Sequence, residues 1–386
     1  MADVLLISDA VYNPSGFGMA AKYLAFKLMD MGFKVVNASF NTLGYLNYVD
    51  IEVTSLQRLD KTVKKYQPEF TIFLGPPFIT PISQMIDSPE FEQVKKMTKL
   101  ILYGVHEGLQ ISPEVDDKFA RFHVVATPNR FMHETFEFDK SRVFVLHHYI
   151  DTEFWDPRLY SPKRAYKIGF IATNHPRKRF DVVLALTMEL VKHYRDAVPT
   201  YLKTTPNGAW NISAIAKLLA KLEQSLIGWH VDYTIYNEYE MASHVHQLFY
   251  VNTHLTDGEA HAYPIMQSLL LCQPVVATEH PALTEIYGDL VEWVRPSQQQ
   301  IAGDGILYVR LSLGDADKAF DKVKMILSDY EGYSDRLCSK VPRKDWDYRS
   351  QRHEHEINTV LEAAMKYDHT IKDDLLRQIG KPELIE

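Results

Sequence analysis

Short apolar runs recur through residues 1–150, each too brief for a helix yet hydrophobic at nearly every position. Val4–Ser8, Lys34–Ser39, Phe70–Leu74, Leu100–Val105, His123–Ala126 and Val143–Leu146 read as strands covered on both faces, since a half-exposed strand would alternate. Between them, Gly18–Met31, Gln57–Lys65, Ile82–Val94 and Phe131–Phe136 read as helices. Strands alternating with helices in this way predict parallel βαβ units. A polar, proline-bearing stretch from Asp156-Pro157 to Ser161-Pro162-Lys163 then reads as a linker. The alternation resumes with strand Lys167–Thr173, helix Phe180–Arg195, strand Thr200–Thr204, helix Asn211–Leu226, strand Tyr233–Tyr236 and helix Met241–Phe249. Helix Ala262–Cys272 and strand Val275–Ala277 follow, then an amphipathic helix over Trp346–Met365 and a short appendage, Lys366–Glu386.

This rhythm predicts an α/β fold of two Rossmann-like, doubly wound domains facing each other across a cleft, and 386 residues suffice for two such cores. A formal net charge of −8 argues against sequence-independent nucleic-acid binding, which needs a basic face to displace counterions. Cys272 and Cys338 lie far apart, the first in an apolar helix, so both are expected as buried thiols rather than a bridge, in a reducing, cytoplasmic setting. Met1-Ala2-Asp3 leads straight into an apolar strand, too short and too acidic for a signal peptide, and no apolar run reaches membrane-spanning length. The sequon Asn211-Ile212-Ser213 then carries no meaning.

Candidate chemistry collects where strands end. From Asp257 to Glu285 an acidic turn leads into a helix and then a buried strand; free N–H groups at the helix start favour an anion, so Glu259 faces something else, such as sugar hydroxyls. A solvated turn acid is the plainer alternative. In Asn13-Pro14-Ser15-Gly16-Phe17-Gly18, Gly16 and Gly18 permit a tight turn and close approach of a ligand, although Lys22 stands where a dinucleotide fingerprint needs its third glycine. His106 ends a strand on the side where open α/β sheets bind ligands; it can donate to a hydroxyl or help accept its proton, or be a satisfied loop histidine. His147-His148 lacks a third ligand at metal-site spacing, so no metal site is expected. Arg177-Lys178-Arg179, following the first strand of the second half, can neutralise a diphosphate or form a solvated surface patch.

In order and spacing these segments resemble the retaining glycosyltransferases of family 4, over nearly the whole chain. Glu259, Gln267, Pro274–Thr278 and Glu285 fall in register with that family's donor-site segment, with Ala260-His261-Ala262 for the usual glycine-aromatic-glycine turn and Gln267 for its second glutamate. Asp151 and Phe154 match the segment ending its first domain, and Lys178 its diphosphate lysine. Thr173 replaces an arginine for which Arg177 can compensate, Lys203 stands where a subgroup carries histidine, and Trp346-Asp347 is similar to the start of a helix that crosses back. The resemblance implies the GT-B arrangement: an acceptor domain over 1–157, a nucleotide-sugar domain over 158–345, and a crossing helix plus tail over 346–386. It implies metal-independent, retaining transfer from a nucleotide-sugar such as UDP- or GDP-hexose to a hydroxyl of a glycan, lipid or protein, with no cofactor. His106, Glu259 and Lys178 are then the catalytic group; Gly16, Gly18, Arg177, Lys178, Lys203, Glu259, Ala260, His261, Ala262, Tyr263 and Gln267 form the donor site. Two alternatives stay open: a non-catalytic nucleotide-sugar binder, suggested by Thr173 and Gln267 together, and a GT-B-fold sugar isomerase or phosphorylase.

Overall fold

The computed structural model describes residues 2–42, 45–56, 58–195, 198–212, 214–215 and 229–367. Residues up to 145 supply an eight-stranded sheet of β1 (Val4–Ser8), β2 (Val35–Ser39), β3 (Tyr45–Tyr48), β4 (Ile51–Ser55), β5 (Phe70–Leu74), β6 (Lys99–Tyr103), β8 (Val124–Thr127) and β9 (Val143–Val145). The order is β3-β4-β2-β1-β5-β6-β8-β9, parallel except for the β3–β4 hairpin. A second, all-parallel sheet holds β10 (Tyr166–Ile171), β11 (Thr200–Lys203), β12 (Trp229–Asp232), β13 (Phe249–His254), β14 (Val275–Thr278) and β15 (Glu292–Val294), in the order β12-β11-β10-β13-β14-β15. Both orders reverse direction beside their first strand, which opens a crevice at the carboxyl ends of β1 and β10.

The halves are closely joined. A third sheet pairs the hairpin β16 (Gln298–Ile301) and β17 (Ile306–Arg310) with β7 (Gln110–Ile111) of the first half. One apolar cluster contains Met19 and Tyr23 of helix Gly16–Asp30, Ile265 and Leu269 of helix Tyr263–Leu270, Trp346, and Ile357 and Leu361 of helix Gln351–Lys366. That last helix starts at Ser350, whose hydroxyl accepts from His353 N, and packs on β6, β8 and β9. Half-buried Glu238 adds a polar tie, pairing with Lys22 while Tyr23 and Trp155 donate to its Oε1 at 2.5 and 2.9 Å.

Several elements depart from the sequence reading. The single helix expected over Ile82–Val94 is two, Ile82–Ile86 and Pro89–Lys95, because Pro89 cannot continue the first but suits the opening turn of the second. The strand placed at Tyr233–Tyr236 lies at Trp229–Asp232, where Asp232 turns the chain by accepting from Thr234 N at 2.8 Å. The expected helix Met241–Phe249 is shorter, Glu238–Ser243, set back by a capping box between Asn237 and Glu240, and Phe249 instead opens the central strand β13. Most of the helix expected over Asn211–Leu226, residue 57 of the helix Gln57–Lys65, residue 213 of the sequon and residues 368–386 of the tail lie outside the described residues. No helix among the described residues is long and apolar enough to cross a membrane.

The cysteines are a correction. Cys272 and Cys338 form a disulfide, their Cα atoms 4.7 Å apart. Helix Tyr330–Lys340 returns to pack on helix Tyr263–Leu270, and Ser334 Oγ donates to the Cys272 carbonyl at 2.6 Å, so proximity comes from tertiary packing that a separation of 66 residues does not reveal. With the pair bridged, the cysteines no longer argue for a reducing compartment.

Candidate active site

Two turns at the carboxyl end of the second sheet carry the densest charge. One links β10 to helix Phe180–Tyr194, the other links β13 to helix Tyr263–Leu270; since β10 and β13 are neighbours, the turns lie side by side. Asp257 N donates to the Arg177 carbonyl at 2.8 Å, and a β-bridge joins Lys178 to Thr256. Three groups therefore converge on Glu259 Oε1: Lys178 Nζ in direct contact, His254 Nε2 at 3.0 Å and Arg177 Nη1 at 3.4 Å. Arg177 also donates to the Gly258 carbonyl at 2.9 Å and pairs with Glu107 across the crevice. Lys178 and Glu259 are each 6% exposed. Burial drives the Lys178 ammonium pKa well below its ordinary value, with Arg177 acting the same way and Glu107 opposing.

The three-cation run is thus divided by function. Arg179 turns inward to Asp181 and to Asp257, whose Oδ1 also accepts from Leu311 N at 3.0 Å, and so anchors the turn. Burial raises the Asp257 pKa while Arg179 draws it down. Thr173 is exposed just past β10.

Around Glu259 the turn is packed rather than open. The Ala260 carbonyl accepts from Asn129 Nδ2 of the first half at 2.8 Å. His261, 4% exposed, lies against the rings of His148 and Tyr263 at 4.8 and 5.0 Å, and burial drives its pKa well down. Ala262 has φ 67°, left-handed backbone that suits the glycine usual at this point in the family it resembles. Tyr263 OH donates to the Tyr149 carbonyl at 3.2 Å, and Pro264, lacking an N–H, removes one donor from the helix start. Gln267, 4% exposed, sends Nε2 to Met19 Sδ at 3.4 Å. Its amide nitrogen thus lies against helix Gly16–Asp30.

In the first half, Gly18 is needed for chain packing: a Cβ would lie 2.2 Å from the Asn13 carbonyl oxygen, whereas one on Gly16 would meet open space. Ser15 caps that helix through Gly18 N and donates to Asp9 at 2.5 Å. His106 is 1% exposed, edge-on to Phe119 and Phe136, with Nε2 2.7 Å from Thr135 Oγ1. Thr135 gives its own proton to the Met132 carbonyl, and burial lowers the His106 pKa to about 3 and keeps the ring neutral. Lys203 is half-buried, its contacts being the Thr204 carbonyl at 3.3 Å and the Tyr236 ring at 5.7 Å rather than Glu259. The adjacent histidines part company: His147 bonds Glu356 at 2.7 Å and His148 bonds Tyr103 OH at 2.6 Å. Among the described residues no three His, Cys, Asp or Glu side chains gather as a metal site would require.

The structure therefore brings Arg177, Lys178 and Glu259 together, and it adds His254 and Glu107, which the motifs did not single out. The available signal for His254 was its place five residues before Glu259, at the end of the strand that leads into the acidic turn.

No family model matches the sequence, and no curated protein matches it. Solved structures do. A glycosyltransferase from Rickettsia africae aligns with a TM-score of 0.67 at 11% identity, covering 95% of this chain and 99% of that one. HepE from Anabaena, in complex with UDP and glucose, aligns at 0.65 and 10% identity over 93% of this chain and 99% of its own. The E. coli trehalose-6-phosphate structure bound with UDP-2-fluoro glucose aligns at 0.64 and 9% identity, again over 93% and 99%. The fold is GT-B. The Lys178–Glu259 turns follow the carboxyl ends of β10 and β13 in the second Rossmann-like domain, and Gly18 and His106 follow the carboxyl ends of β1 and β6 in the first.

Proposed function

We propose that the protein is a glycosyltransferase that moves a sugar from a nucleotide-sugar to an acceptor hydroxyl. The observation that carries this is the convergence of Lys178 and Arg177 with Glu259 at the carboxyl ends of β10 and β13 of a GT-B fold. Such cations meet a requirement of the reaction: as the glycosidic bond breaks, negative charge grows on the leaving diphosphate. Lys178 and Arg177 are positioned to exchange their carboxylate partners for it, each charged hydrogen bond contributing roughly 1.5–3 kcal/mol. Released from Lys178, Glu259 accepts from sugar hydroxyls and orients the ring. His106, neutral and held by Thr135, is assigned to the sugar or acceptor side. Structures of the same fold bound to UDP and glucose or to a UDP-sugar analogue support a uridine donor.

The finer reading follows from the family 4 resemblance: retention at the anomeric carbon, no divalent ion, an acceptor domain over 1–157 and a donor domain over 158–345. Exposed Thr173 and the amide of Gln267, standing where the family has an arginine and a glutamate, favour a second reading, a nucleotide-sugar binder without turnover. The test is incubation with UDP-, GDP- and ADP-hexoses, an acceptor panel and a chelator, with the product anomer read by NMR. Retained configuration in chelator supports the proposal. Activity that needs a divalent ion, or an inverted product, removes the finer reading; tight donor binding with neither transfer nor hydrolysis selects the binder.

A further inference from the structure

We propose that His254 is a positioning residue for Glu259, holding the carboxylate in place while Lys178 and Arg177 turn to the donor's diphosphate; this rests on the donor-site reading above. The three groups on Glu259 Oε1 are of two kinds. Lys178 and Arg177 belong to the turn following β10, and the diphosphate draws both away from Glu259. His254 is the last residue of β13, locked in the sheet by pairing with Ala277 and 1% exposed, so its ring stays where it is. Without it, a carboxylate that is itself 6% exposed would keep no hydrogen bond from the protein to fix its position while it orients a sugar.

The chemistry of the ring suits this task. Nδ1 is buried without a hydrogen-bond partner among the described residues, and Nε2 lies 3.0 Å from Glu259 Oε1. A neutral imidazole carries one proton, and a carboxylate needs a donor, so that proton belongs on Nε2. Burial, with Lys178 and Arg177 close by, lowers the ring's pKa well below the ordinary value and keeps it neutral. A neutral donor does not compete for the diphosphate as a third cation would. Burial alone gives no reason for an imidazole here: the ring is 1% exposed with Nδ1 unpaired, and a leucine would leave no nitrogen unpaired.

The experiment uses the full chain as wild type, His254→Gln and His254→Leu, with UDP and UDP-glucose as probes. Nitrogen-15 NMR of the His254 ring is expected to show a neutral, Nε2-protonated tautomer, unchanged on adding UDP. His254→Leu is expected to lower kcat for UDP-glucose hydrolysis or transfer at least tenfold with UDP affinity within twofold of wild type, and His254→Gln, which retains an N–H donor, to recover most of that loss. A charged or Nδ1-protonated ring, or unchanged turnover in His254→Leu, overturns the positioning role while UDP binding by wild type leaves the donor site standing. Absence of UDP, GDP and ADP binding by wild type overturns the donor reading, and the role of this hydrogen bond falls with it.

Discussion

Replacing Lys178 by methionine removes one member of a pair in which both side chains are almost fully buried, so its effect is set by what remains on Glu259. Leaving a buried charge with no partner costs about 3–5 kcal/mol. Here His254 still donates to Oε1 at 3.0 Å and the Arg177 guanidinium remains as an ion-pair partner 3.4 Å away, which should reduce the loss to roughly 2–3 kcal/mol, a hydrogen bond to a charged group being worth about 1.5–3. Glu259→Gln should cost less, about 1–2 kcal/mol, because Lys178 already has a depressed pKa and can shed its proton. The double variant removes both charges together and should lose about 1.5–3 kcal/mol less than the sum of the single losses. Guanidinium unfolding of all four proteins, followed by tryptophan fluorescence and far-UV circular dichroism, completes the cycle. Repeating it with saturating UDP should shrink the coupling, since Lys178 then faces phosphate. Additive single losses, within about 0.5 kcal/mol, would refute a direct Lys178–Glu259 interaction, and an unchanged coupling in UDP would refute the exchange of partners.

Ala262→Gly should raise stability by about 0.5–1 kcal/mol, because φ 67° is strained for alanine and the relief exceeds the entropy that glycine adds to the unfolded chain; a lower unfolding midpoint would contradict this. Glu107→Gln should tighten UDP binding about fivefold by calorimetry, as roughly 1 kcal/mol of ion pairing no longer holds Arg177; weaker binding would mean that Glu107 itself touches the donor. Buried His106 and His148 have pKa values lowered to about 3, and His246, His280 and His353 to about 4, against an ordinary 6.5. Between pH 6.5 and 4 the unfolded chain therefore binds more protons than the folded one, and stability, complete above 6.5, should fall with pH by up to ~1.4 kcal/mol per unit for each histidine. Glu356, Asp232 and Asp315, lowered to about 2, extend the loss to still lower pH; a flat unfolding free energy from pH 6.5 to 4.5 would contradict the burial of these rings.

Sequence pattern revealed those parts of the fold in which every position argues the same way. β1, β5 and most of β10 are buried on both faces and predominantly apolar, so their spacing alone exposed the βαβ rhythm. β13 was hidden because Asn252, Thr253 and His254 are polar; each is buried only because tertiary structure supplies a partner, Asn252 to Ser268 Oγ and the Pro264 carbonyl, Thr253 to the Gly169 carbonyl and His254 to Glu259. At the site, Lys178 and Glu259 were each legible as the charged residue of a strand-end turn. Their contact was not, since it depends on β10 lying beside β13, and neither was Glu107, which reaches Arg177 from the other half.

The most direct measurement is calorimetric titration of UDP, GDP and ADP into wild-type protein and Lys178→Met. A donor site at this crevice requires that wild type bind at least one of the three and that Lys178→Met weaken it at least tenfold, about 1.4 kcal/mol. No binding of any diphosphate at millimolar concentration, or equal affinity in the two proteins, would contradict it.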